Sequence, residues 1–78
     1  MAMVMLEQTI RVDFFLKGQQ INLHRTSFPP GVGDLVEFVT GDSVDNTPVY
    51  RVVRRVWGYS NIQPDRVSIE LEVFPTGV

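Results

Sequence analysis

Cysteine is absent from this chain of 78 residues, and histidine and tryptophan each occur once. Without cysteine there is no disulfide and no thiolate metal site, and the lone His24 cannot supply paired imidazoles for zinc. We therefore expect no metal and no cofactor. The net charge of −2 argues against a protein held on nucleic acid by bulk charge.

Long apolar runs are also missing. None approaches the ~20 residues that a membrane helix requires. The apolar residues 1–6 have no basic region before them and no cleavage site after them, so they do not form a signal peptide. These features predict a soluble, cytoplasmic protein, and the length predicts one small domain over residues 1–78.

What the chain does have is apolar residues at every second position, in five segments. This period is typical of half-buried β-strands, and no stretch shows the spacing of an amphipathic helix. The predicted strands cover residues 3–16, 21–26, 34–40, 49–59 and 66–74. Glycine, proline and acidic residues between them predict a turn at Gly18 and loops over 28–34, 41–48 and 60–65.

Alternation also predicts which side chains form the core. The inward sets are Ile10, Val12, Phe14 and Leu16 in the first strand, Val36 and Phe38 in the third, Tyr50 and Val52 in the fourth, and Val67, Ile69, Leu71 and Val73 in the fifth. The second strand is weaker, with Ile21 and Leu23 opposed to Asn22 and His24. His24 is therefore predicted on the outer face.

The fourth strand breaks its own pattern at Arg54. Strict alternation would place this guanidinium in the core, where an unpaired charge is very costly. A β-bulge near Val53-Arg54 avoids that cost by shifting the phase. It would return Val56 or Trp57 to the interior and leave Arg54 and Arg55 outward.

Five strands in so short a chain favour one small antiparallel barrel over two stacked sheets. An SH3-like barrel is the first choice and an OB-like barrel the alternative. The segment Gly33-Asp34-Leu35-Val36-Glu37-Phe38, followed by a polar loop and Tyr50-Arg51-Val52-Val53, resembles small SH3-like barrel proteins of bacteria and phages. The resemblance covers about half of the chain and implies a fold, with no shared activity.

Basic and aromatic residues cluster along the predicted fourth strand. Its predicted binding residues are Arg51, Arg54, Arg55, Trp57 and Tyr59, with Arg66 close behind in sequence. Basic grooves lined by aromatic rings bind single-stranded nucleic acid, because phosphates pair with the charges and bases stack on the rings. The plainer interpretation places the aromatic rings in the core and pairs the arginines with Glu37, Glu70 and Glu72 across strands.

Apolar residues off the predicted core face suggest a second kind of surface. They are Phe15, Phe28, Leu35, Val39 and Phe74, of which the three phenylalanines are the predicted protein interface. Exposed together they would indicate a partner or a self-interface. Strand bends and loops that cover them are the plainer explanation.

Catalysis has little support in this sequence. Ser27, His24 and Asp13 form a triad only on paper, since no nucleophile-elbow motif surrounds the serine. Asp42, Asp45 and Asn46 do not match the spacing of a calcium loop. The leading hypothesis is a non-enzymatic module that binds a protein partner or itself, without a small-molecule substrate. The alternative is a nucleic-acid-binding barrel that uses Arg51–Tyr59.

Overall fold

A computed structural model describes residues 9–39, 47–61 and 63–75. They form five strands, β1 (Ile10–Leu16), β2 (Gln19–Thr26), β3 (Leu35–Glu37), β4 (Val49–Ser60) and β5 (Gln63–Phe74). All five belong to one sheet in the order β2-β1-β5-β4-β3, which confirms the all-β prediction. The predicted strand residues 3–8 and Thr40, and most of the predicted loop 41–48, lie outside the described residues.

The sheet is mixed, and the prediction of a fully antiparallel barrel is therefore wrong. β1 and β5 pair in parallel, whereas the other three pairs are antiparallel. The cause is the connection after β2, which carries the chain from one sheet edge to the other. β3, β4 and β5 then return toward β1 as a meander. In the described residues β2 and β3 are the two edges, so the sheet is a curled half-barrel.

The concave face of this half-barrel holds the core. Its buried side chains are Val12, Phe14, Val52, Val67, Ile69 and Leu71, and Ile10, Leu16, Val36, Phe38, Tyr50 and Trp57 pack against them. The predicted alternation of β1 is confirmed, as is that of β5 up to Leu71. Val73, predicted to face inward, is 57% exposed because it lies near the end of β5, beyond the core.

Aromatic rings connect the two edges of the sheet. Phe38 lies directly after β3, and its ring centroid is 4.9 Å from that of Phe14, in an edge-on arrangement. The same Phe38 ring stacks on His24 of β2 at 5.8 Å, with the planes 5° apart. Side-chain packing therefore curls the sheet where backbone hydrogen bonds do not close it.

The β1–β2 hairpin confirms the predicted turn and corrects the face of His24. Lys17 and Gly18 both have positive φ, 53° and 79°, as a tight hairpin turn requires. Further along, Phe14 pairs with Asn22 and Phe15 with Gln20, so Ile21 is an extra, bulged residue. This bulge inverts the phase of β2. His24 consequently lies beside Phe14 on the concave face, and Ile21 and Leu23 are exposed.

The predicted bulge in β4 is confirmed. Val52 pairs with Leu71 and Arg54 with Glu70, which leaves Val53 as the extra residue. Trp57 consequently lies on the core side, while Arg54 points outward. The outward prediction for Arg55 is wrong, because the strand resumes its alternation at Arg54 and places Arg55 beside Trp57, half-buried.

The predicted loop over residues 60–65 is mostly strand. Ser60 pairs with Gln63, and Asn61 takes a positive φ of 60°, so the chain reverses within two residues. Asn tolerates this left-handed conformation better than most residues do. Pro64 sits within β5 opposite Tyr59, next to a second register shift.

Candidate functional site

The outer face is the side of the sheet opposite the core, and it carries a shallow apolar depression. Cross-strand pairing places Phe15 beside Glu70, Glu70 beside Arg54, and Ser68 beside Val56. The depression encloses about 290 Å³. We call these residues the outer patch: Phe15, Arg54, Val56, Ser68 and Glu70. Two apolar side chains thus flank a basic and an acidic one.

A buried carboxylate lies next to this patch. Asp13 is 5% exposed although it belongs to the outer face, where it pairs with Leu23 and Ser68. Its Oδ1 accepts hydrogen bonds from Arg11 Nε at 3.0 Å and from Gln20 Nε2 at 3.1 Å. Burying a charged group requires such partners. Asp13 therefore fixes the direction of the Arg11 side chain.

The five residues of the predicted basic and aromatic site are divided between the two faces. Arg51 is on the outer face, where its Nε donates to Glu72 Oε2 at 2.6 Å and its guanidinium lies 5.7 Å from the Phe74 ring. Arg54 is also on this face, opposite Glu70. The predicted pairing of Arg51 with Glu72 is confirmed.

Arg55 and Trp57 lie on the concave side. The Arg55 guanidinium stacks over the Trp57 ring at 5.2 Å, and its Nη1 donates to the carbonyl of Pro30 at 3.3 Å. Trp57 packs against the core, and Tyr59 is 64% exposed near the β4–β5 turn. Arg55 thus ties the loop after β2 to the sheet, which is a structural role.

The three predicted interface phenylalanines are placed separately. Phe15 is half-buried in the outer patch. Phe74 is half-buried beside Arg51 at the far end of β5. Phe28 is 87% exposed in the loop that follows β2, near the opposite end of the sheet. Of the three, Phe15 alone belongs to the outer patch.

Two features of this face depend on strand register and were missed at the sequence level. The bulge predicts either Val56 or Trp57 in the interior, but Val56 is 46% exposed in the outer patch. Arg11, Arg25 and Arg66 become neighbours only through the pairing of β1 with β2 and β5. Alternation predicts a face but not a neighbour.

Chemistry-bearing clusters are scarce in the described stretches. Within residues 9–39, 47–61 and 63–75 no three His, Asp or Glu side chains are grouped as a metal site would need. In the same stretches, every buried side-chain nitrogen or oxygen has a hydrogen-bond partner. Nor does this part of the chain contain a helix long and apolar enough to cross a membrane.

Comparison with known proteins adds no relative to this picture. No family model, no curated protein and no solved structure matches the chain.

Proposed function

We propose that this chain is a non-enzymatic interaction module that docks a partner protein, or a second copy of itself, against its outer patch. The observation that carries the proposal is the exposure of Val56 and the half-burial of Phe15, which line one depression from the two sides of β5 on the solvent face. Polar residues normally occupy that face of a half-buried sheet. Apolar surface left in this position favours a protein contact.

The composition of the outer patch also supports a protein partner. Protein interfaces combine an apolar centre with a polar rim that fixes orientation. Phe15 and Val56 supply the centre, and Arg54 and Glu70 supply one charge of each sign at the rim. Leu23 is exposed on the same face and extends the apolar area toward β2.

The test is photo-crosslinking in the source cell. A benzoylphenylalanine in place of Leu23 is expected to capture one discrete partner, because this position adjoins the outer patch. Adding Val56→Lys should reduce that crosslink to background, since a lysine in the centre of the interface leaves a charge without a partner. The mass of the crosslinked species distinguishes a second copy of the chain from another protein.

Val73→Lys is the matched control for this experiment. Val73 is 57% exposed and Val56 46% exposed, but Val73 lies on the concave side at the end of β5. The crosslink should survive Val73→Lys. A crosslink that is absent from the start, or that both lysine variants reduce equally, contradicts the proposal.

Two finer predictions, on the type of barrel and on a nucleic-acid surface, stay predictions. The SH3-like or OB-like barrel rests on the sequence alone, and the parallel β1–β5 pair departs from an all-antiparallel barrel. The nucleic-acid surface along Arg51–Tyr59 has no observation in its favour, because its side chains are divided between two faces.

A further inference from the structure

A row of three arginines crosses the outer face at the end of the sheet where β1 begins. Arg11 of β1 pairs directly with Arg25 of β2 and, on its other side, with Arg66 of β5. Directly paired residues on adjacent strands point to the same face, and adjacent strands lie about 4.8 Å apart. Three guanidinium groups therefore leave the sheet side by side.

The fold accounts for Arg11, which pairs with the buried Asp13, but not for the two arginines beside it. Like charges placed directly opposite each other on adjacent strands are destabilising. In the described part of the chain, neither Arg25 nor Arg66 forms a salt bridge, although Asp65 precedes Arg66. Both arginines are exposed. An anionic ligand would convert the repulsion into attraction.

The side chain of Arg11, the central arginine, is held in an orientation that suits an anionic ligand. The buried carboxylate of Asp13 accepts from Arg11 Nε at 3.0 Å. Among the described residues no acceptor is found for the two terminal nitrogens of Arg11. These nitrogens form the fork that guanidinium uses to bind phosphate.

Gly58 leaves space for the side chain of Arg66, the third arginine of the row. It is the β4 neighbour of Arg66, and a Cβ on Gly58 would come within 3.2 Å of Arg66 Cγ. The missing side chain lets the stem of Arg66 lie across β4. The basic row is thereby extended toward the fourth strand.

An exposed aromatic residue lies close in sequence to each end of the row. Phe28 follows Arg25 by three positions and is 87% exposed, and Tyr59 follows Gly58 and is 64% exposed. Exposed rings beside a basic track are stacking platforms for the bases of a single strand. We propose that the row Arg25, Arg11 and Arg66 binds the phosphate backbone of single-stranded nucleic acid, separately from the protein contact of the outer patch.

Fluorescence anisotropy with a labelled oligodeoxythymidylate of about 20 nucleotides tests this proposal. The double variant Arg25→Gln with Arg66→Gln should weaken binding roughly tenfold at low salt. It should also lower the slope of log K against log salt by about 1.4, because each lost phosphate contact contributes about 0.7. Both residues are exposed, so the variant should fold normally.

The matched control is Arg51→Gln with Arg54→Gln, which changes the net charge equally on the same face. It should leave the salt slope unchanged. An equal loss in both double variants means bulk charge only, and a loss confined to the control moves the site to β4. Either result overturns the proposal, as does the absence of binding or equal binding of polyglutamate.

Discussion

Phe14→Ala is expected to remove a large share of the stability of this protein. The ring is buried, and its centroid lies 4.9 Å from that of Phe38 and 6.1 Å from that of His24. Its loss therefore opens the packing that joins the two sheet edges. Truncation of a buried Phe costs about 3–5 kcal/mol. A domain of 78 residues has roughly 4–12 kcal/mol in total. Urea unfolding followed by circular dichroism measures the difference.

Phe28→Ala is the control, because it removes the same side chain from a position that is 87% exposed. Its free energy of unfolding should stay within about 0.5 kcal/mol of the wild type. In urea, with a slope near 1 kcal/mol per M for a small domain, Phe14→Ala should lower the midpoint by about 3–5 M. Similar midpoints for the two variants would show that the aromatic contacts do not hold the edges together.

Deletion of Ser68 is expected to abolish folding, whereas deletion of Val53 should leave the fold intact. Val53 is the extra residue of the β4 bulge, so its removal leaves Val52 opposite Leu71 and Arg54 opposite Glu70. β5 has no extra residue around Ser68, and a shift by one position reverses the faces of all residues on one side of the deletion. Either Val67 or Ile69, both fully buried, would then turn to solvent.

Far-UV circular dichroism and thermal unfolding of the two deletion variants provide the measurement. The Val53 deletion should unfold cooperatively, with a stability change of about 1 kcal/mol or less. The Ser68 deletion should show no cooperative transition. If neither variant folds, the bulge is itself required for the twist of β4. Two folded variants would mean that the register of the sheet is not fixed by its core.

Alternation located the core because one buried face imposes a strict period of two. The β4 bulge was also predictable, since an arginine at a core position carries a large cost and so reveals a break in phase. The bulge at Ile21 was missed, although the phase of Ile21 and Leu23 would place Arg25 on the inward face. The face of His24 was therefore predicted wrongly.

The sequence alone could not predict which residues lie next to each other on adjacent strands. A repeat of two residues predicts which way a side chain points, but it does not predict which strand lies beside it. The parallel pairing of β1 with β5, which brings Arg66 next to Arg11, depends on how the chain crosses from β2 to β3. The outer patch depends on the same register, because Phe15 reaches Glu70 and Ser68 only through this pair.

The parallel β1–β5 pair also has a consequence for how the protein is made. The first and last described strands lie together in the middle of the sheet, so one side of β1 has no strand to pair with until β5 has been synthesised. Contacts between distant parts of the chain slow folding, because a large loop must close first. The complete five-stranded sheet can therefore form only after translation has passed Phe74.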